Sequence, residues 1–388
     1  MAWWRAGGTE RTDRTDRTDW TDWGDPRALL DRWDQALLGF ARARRGKAEG
    51  MRVCVTGGTG FTGSHLVRRL LSRGHEVRAL DHQPGLFDEE LRAAGAEITI
   101  GSVTDAPLLG SLLDGCEVVY HLAAAFRRVN LPRKVYRDVN VGGMQTLLEA
   151  ARARGVRKVV YCSTQGVHGN VRNPPADEDA PIEPEDYYQQ TKYEGEEVCA
   201  RFIEQGMDIT ILRPTAIYGP GDPGRFLMLY RRVATGVFPF FGPGNALYHP
   251  LYIDSFIDAF ELAAEREEAR GRTYLIADAE YVPIREIVQR IARVMGVDLR
   301  IRHYPFWPLY AVSAVVETAF KPLPVDPPLF RRRADWFRQN RAFRIDRARR
   351  ELGYAPSVGL DEGLRRTCDW YRANGYLPRG AAPSAASA

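Results

Sequence analysis

Met51 to Leu80 reads MRVCVTGGTGFTGSHLVRRLLSRGHEVRAL, and this stretch decides the fold. Arg52–Thr56 (RVCVT) is a short, β-branched apolar run of the kind that forms a buried parallel strand. It runs straight into Gly57, Gly58, Thr59, Gly60, Phe61, Thr62 and Gly63. Leu66, Val67, Leu70 and Leu71 then share one face of a predicted helix, with Arg68, Arg69 and Arg73 opposite, and Gly74 ends it. Glu76 to Leu80 predicts a second strand, closed by Asp81.

Strand, glycine turn, helix, strand and acid, in that order, fit a dinucleotide. Gly57 lets the chain turn off the strand, Gly60 lets a pyrophosphate approach the backbone, and Gly63 lets the helix pack close to the sheet. The helix start then offers free N–H groups and the positive end of its dipole. Asp81 stands eighteen residues after Gly63. There a carboxylate accepts both adenosine ribose hydroxyls and repels a 2′-phosphate. With no Arg at His82 or Gln83, NAD is expected rather than NADP.

Working outward, the rest of the chain is ordinary for a large globular protein: 388 residues, 44% hydrophobic, 27% charged, net charge +4. That charge gives no reason to expect nucleic acid. It is uneven, because residues 301–350 carry ten Arg and one Lys against four acids. A solvated surface is the plain reading of that run; an anionic substrate or an acidic membrane face is the sharper one. The five cysteines are widely spaced with no metal-ligand pattern, so no metal and no oxidising compartment is expected. With no signal-peptide run, the expected location is cytoplasmic. The longest apolar stretch, Phe306 to Phe320, is too short to span a bilayer and contains Glu317. It reads as plain core, with a greasy substrate or a peripheral membrane contact as the alternative.

Residues 1–50 stand apart from this fold. ERTDRTDRTDWTDWGD, from Glu10 to Asp25, is low-complexity and expected to be disordered. Leu29, Leu30, Trp33, Leu37 and Leu38 predict a short amphipathic helix after it. The alternative is an upstream extension of the reading frame, since Met51 precedes the first strand by one residue.

From Met51 the pattern alternates strand and helix, which predicts an α/β, doubly wound parallel sheet (a Rossmann fold). Further strands are expected at Ile98 to Gly101, Val118 to Leu122, Lys158 to Cys162, Asp208 to Leu212 and Tyr274 to Ala277. Helices are expected at Ala106 to Leu113, Lys134 to Arg154, Tyr187 to Gln205, Ile284 to Met295 and Leu360 to Asn374. A nucleotide-binding domain thus spans 51–213. Residues 214–379 form mainly a substrate-binding region with some elements returning to the sheet, and 380–388 a frayed tail. Within it, Pro214 to Pro250 is rich in Gly, Pro and aromatics and should cap the strand ends.

Tyr188 and Lys192 share one helix face, a turn apart. A phenol titrates near pH 10, and a nearby ammonium favours its phenolate, which suits it to acid–base work. Ser163 and Thr164 follow the fifth strand, where either hydroxyl could hold a substrate oxygen beside Tyr188.

These residues make the chain similar to the extended short-chain dehydrogenase/reductases, within the broad NAD-dependent epimerase/dehydratase family, over about Met51 to Tyr376. The resemblance implies that Gly57, Gly60, Phe61, Thr62 and Gly63 hold the cofactor phosphates and Asp81 the ribose. It implies that Ala123 and Ala124 pass beside the adenosine, that Asn140 is the helix Asn common in the family, and that Thr164, Tyr188 and Lys192 are catalytic, the last two also touching NAD. Arg213-Pro214, Tyr218-Gly219-Pro220-Gly221 and Tyr252-Ile253-Asp254 match later motifs. Where the family carries an Asp for adenine after strand three, this chain has Ser102, followed by Val103, and these are the expected contacts there. Ala216 replaces the Asn common in nucleotide-sugar epimerases, which brings the chain closer to the 3β-hydroxysteroid dehydrogenase and dihydroflavonol reductase branch.

The function implied is NAD-dependent hydride transfer at a secondary alcohol or ketone of a small substrate, sterol-like or otherwise hydroxylated. The alternatives are a nucleotide-sugar epimerase or dehydratase with tightly held NAD, in which Arg225, Arg231 and Arg232 pair with a diphosphate, and a non-catalytic NAD sensor or scaffold. Family members often form homodimers, which is the expectation here.

Overall fold

The structure is a computed structural model of the 388-residue chain and describes residues 50–126, 131–320 and 327–378. The expectations for residues 1–49 and for the tail at 380–388 lie outside the described residues. Seven parallel strands form the central sheet: Arg52–Thr56 (β1), Glu76–Asp81 (β2), Glu97–Ile100 (β3), Val118–His121 (β4), Lys158–Cys162 (β5), Ile209–Pro214 (β6) and Thr273–Ile276 (β7). Their order is β7-β6-β5-β4-β1-β2-β3. The direction of winding reverses between β1 and β4, which opens a crevice at the carboxyl ends of those strands.

Successive side chains of β1 point to opposite faces, so Val53 and Val55 enter one core and Cys54 the other. Helices Phe61–Ser72 and Ile253–Glu265 cover the first face. Ala106–Leu112, Gly143–Ala153 and Tyr187–Glu204 cover the second. Both faces are thus covered at the middle of the sheet, where β1, β4 and β5 are buried along nearly their whole length. The expected long helix from Lys134 is broken by a π-helical turn at Asp138–Gly142, between Arg133–Arg137 and Gly143–Ala153.

Over the carboxyl ends lie short elements that periodicity did not predict. Val237–Phe241 pairs in parallel with Arg300–Tyr304, and Arg225–Val233 is a helix. The core reading of Phe306–Phe320 is corrected: it forms a helix whose only buried residue is Ser313. Trp307, Val312 and Val315 are 73%, 53% and 69% exposed. Hydropathy alone does not say which neighbours a helix finds. Here the segment packs chiefly on the short helix Arg331–Asp335, leaving one face outward.

Candidate active site

The glycine turn is fixed from within the protein at two of its three positions. Gly57 has φ +72°, and a Cβ there would lie 2.7 Å from the Ala123 nitrogen. A Cβ on Gly63 would lie 1.9 Å from the Gly57 oxygen, so helix and turn touch only because it is absent. Gly60 differs: a Cβ there would meet only the Gly57 oxygen, at 3.3 Å. Its other side opens into the cavity. The following helix has no side-chain cap and no acid in its first turn. The Gly60 N–H is given to the Gly57 carbonyl at 3.2 Å, so an anion finds open space at Gly60 and uncapped N–H groups at the helix start beyond it. Asp81 ends β2 nearly buried, accepting hydrogen bonds from the Thr59 N–H (3.2 Å) and the His82 N–H (2.8 Å).

One cavity of about 930 Å³ runs from this turn to the elements above the sheet. Gly57, Gly60, Phe61, Thr62, Gly63 and Ala124 line its near end, and Ser163, Thr164, Tyr188 and Lys192 its middle. The helix carrying Tyr188 and Lys192 starts in a capping box, with Asp186 accepting from the Gln189 N–H, which fixes where Tyr188 falls. Tyr188 is 7% exposed and meets the edge of Phe126, ring centroids 5.2 Å apart. Lys192 is fully enclosed, with Nζ 4.2 Å from the Tyr161 ring centroid, and burial pushes its pKa down to about 8.

The two neighbouring hydroxyls face different partners. Ser163 Oγ donates to buried Glu196, which also accepts from Arg213 Nε at 3.0 Å. Thr164 Oγ1 accepts from the Gly166 N–H at 3.0 Å, which leaves its own proton to give. Asn140, in the π-helical turn, binds both ends of Ala125: Oδ1 accepts from its N–H (2.8 Å) and Nδ2 donates to its carbonyl (3.2 Å). Nδ2 also donates to Thr191, between Tyr188 and Lys192, at 3.0 Å. The π-turn thus ties the loop after β4 to the helix of the site.

Four expected cofactor contacts lie beside the cavity rather than on its wall. These are Asp81, Ser102, Val103 and Ala123. Ala123 gives its N–H to Thr56 Oγ1 at 3.3 Å, and Ser102 is exposed and bonded with Thr104. Val103 is buried, close enough that a Cβ on Gly143 would lie 2.7 Å from its Cγ2. Arg225 and Arg232 line the cavity, whereas Arg231 turns away to the Tyr376 carbonyl. The far chamber lies where Pro214 to Pro250 is expected to cap the strand ends, but its individual wall residues are not predicted by the sequence. Phe226, Leu229, Phe238, Phe241, Trp336 and Phe337 wall it. Its only sequence signals were the Gly/Pro/aromatic run and the arginine excess.

The model of the NAD dependent epimerase/dehydratase family matches residues 53–277. The chain belongs to this family. Its relatives include a 2-alkyl-3-oxoalkanoate reductase of Stenotrophomonas maltophilia, 31% identical over 81% of this chain and 98% of the relative. A 3 beta-hydroxysteroid dehydrogenase/Delta 5-->4-isomerase of Mycobacterium tuberculosis is 31% identical over 82% of this chain and 90% of the relative. Among solved structures, the dTDP-glucose 4,6-dehydratase DesIV of Streptomyces venezuelae, with NAD bound, superposes with a TM-score of 0.68 at 26% identity, covering 84% of this chain and 99% of its own. The family is NAD-dependent, and its members are dehydrogenases, epimerases and dehydratases. The open side of Gly60 fits that cofactor.

No helix among the described residues is long and apolar enough to cross a membrane, and none of their acidic, His and Cys side chains cluster as a metal site would.

Proposed function

We propose that the chain is an NAD-dependent oxidoreductase that moves a hydride at a secondary alcohol or ketone of a largely apolar substrate. One observation carries this reading: the same cavity touches Gly60, Thr164, Tyr188 and Lys192, and then an aromatic chamber. NAD, when bound, supplies the carbon that takes or returns the hydride. Tyr188 takes the hydroxyl proton in oxidation and returns it in reduction. Lys192 sits one turn on in the same helix, and its ammonium favours the phenolate. Thr164 donates to the substrate oxygen and holds it facing Tyr188. Phe226, Phe238 and Phe241 keep water from the reacting carbon.

The test is Tyr188→Phe. Turnover should fall by about 10²- to 10⁴-fold with NAD affinity nearly kept. Unchanged turnover would remove Tyr188 from the reaction.

A second reading is a nucleotide-sugar epimerase or dehydratase, favoured by Arg225 and Arg232 on the cavity wall. Absorbance at 340 nm separates the two. Net NADH formation during turnover supports the dehydrogenase; product without it supports the epimerase or dehydratase.

A further inference from the structure

The far chamber has a charge pattern that hydride transfer does not use. Five guanidinium groups line it, from Arg225, Arg232, Arg332, Arg333 and Arg341, against one carboxylate, Asp222. Arg332 is paired with Asp186 at 2.9 Å. Arg341 lies near Glu185, whose carboxyl burial pushes up in spite of that guanidinium, and it donates to Gln339. Asp222 is buried, its Oδ1 accepting from the Gly224 N–H at 2.7 Å, and it feels the Arg225 charge without forming a close ion pair with it.

Arg225, Arg232 and Arg333 make no ion pair among the described residues. Arg225 donates to the Tyr248 hydroxyl at 2.9 Å, and Arg333 to the Pro328 carbonyl. Both acceptors are neutral. Arg333 also lies over the Phe330 ring, 5.0 Å from its centroid. Arg225, Arg332 and Arg333 line the same cavity, and of these Arg332 alone has an ion pair among the described residues; partial burial and the charges of Arg225 and Arg332 lower the Arg333 pKa. Like charges held together beside a low-dielectric surface are stabilised by an anion, and guanidinium forks match carboxylate and phosphate oxygens. The aromatic wall on either side excludes a strongly hydrated body.

We infer that the substrate is an anionic amphiphile: an apolar body whose secondary alcohol or ketone reaches Tyr188, with a carboxylate or phosphate end held by Arg225 and Arg333. This rests on the oxidoreductase reading and adds the substrate's chemical class to it. A neutral sterol leaves Arg225 and Arg333 without a close anionic partner among the described residues, and a nucleotide sugar places a hydrated sugar against Phe238 and Phe241.

The experiment separates binding from turnover. With NAD present, affinities are measured by calorimetry for hydroxy fatty acids from 3-hydroxydodecanoate to 12-hydroxystearate, their methyl esters, dodecyl phosphate and UDP-glucose. The acids or the phosphate should bind about 10-fold or more tightly than the esters. Dodecyl phosphate binding best assigns the end group to phosphate, and an acid binding best assigns it to carboxylate. Arg225→Met and Arg333→Met should each erase that preference while leaving ester affinity within about two-fold. Arg333 is at the solvent edge, so its variant serves if Arg225→Met does not fold. Esters binding as well as acids, a preference untouched by either variant, or UDP-glucose binding more tightly than every amphiphile would each overturn the inference. NADH formation from the acids is read separately: its absence beside arginine-dependent binding counts against the oxidoreductase reading alone.

Discussion

Ser163 Oγ and Glu196 Oε1 lie 2.5 Å apart, so this hydroxyl is spent inside the protein. Both residues line the cavity, but Thr164 only accepts, from the Gly166 N–H, and keeps its proton to give. Thr164→Val should therefore lower turnover by about 10- to 100-fold with thermal stability little changed, because one hydrogen bond to the reacting oxygen is lost. Ser163→Ala should do the reverse. It leaves one buried carboxylate oxygen short of a donor, at about 1–3 kcal/mol of stability, while turnover stays within a few-fold. Turnover and urea midpoints of the two variants check the contrast; equal turnover losses would reject it.

Lys192 gives a pH prediction. Burial holds its pKa at about 8 in the folded chain, against 10.5 for a free side chain. Below pH 8 both states carry the charge, and the folded state bears the full burial penalty. Between pH 8 and 10.5 the unfolded chain binds the proton and the folded chain does not, so this group makes stability rise with pH. Lys192→Met should thus be more stable than wild type at pH 7, by up to about 3 kcal/mol, with the advantage shrinking toward pH 10. Urea denaturation without added NAD at both pH values measures this. Wild-type turnover should fall as pH climbs through 8, as Tyr188 loses the ammonium that favours its phenolate.

The glycine turn separates folding from binding. Gly60→Ala adds a methyl that meets only one backbone oxygen, at 3.3 Å. Stability should change by less than about 1 kcal/mol while NAD affinity drops about 10-fold or more, since the methyl enters the space left for the pyrophosphate. Gly63→Ala places its methyl 1.9 Å from the Gly57 oxygen and should damage the fold itself. Calorimetric NAD titration beside thermal melts distinguishes the two.

Asp81 should govern which cofactor is accepted. If Asp81 holds the ribose as proposed, Asp81→Ser removes the charge that would repel a 2′-phosphate and the hydrogen bonds it would accept from the ribose. NAD affinity should fall about 10- to 100-fold, and the preference over NADP should nearly vanish. Comparing KM for the two cofactors in both proteins tests this.

The parts of the fold that rest on local chemistry were legible in the sequence. Apolar β-branched runs gave the strands, and Gly57 to Gly63 gave the turn between β1 and its helix. Helical spacing placed Tyr188 and Lys192 on one face. Position after the strand left Ser163 and Thr164 open, and only the family resemblance favoured Thr164, because the Ser163 partner Glu196 is 33 residues away and comes near only on folding. The far chamber was hidden for another reason. Phe226, Phe241 and Trp336 come from short elements without a repeating period, brought together only by tertiary packing. Phe306–Phe320 shows the limit of hydropathy: its apolar run is the same whether a helix is covered or bare.

The edge strand beside β6 is recruited late. β6 ends at Pro214 and its neighbour β7 begins at Thr273, 59 positions on. During synthesis at about 5–20 residues per second, β6 waits about 3–12 seconds with its outer row of backbone groups unpaired. An open edge of that kind invites pairing with another chain. Slowing translation across 215–272 should lengthen that exposure without altering a single amino acid.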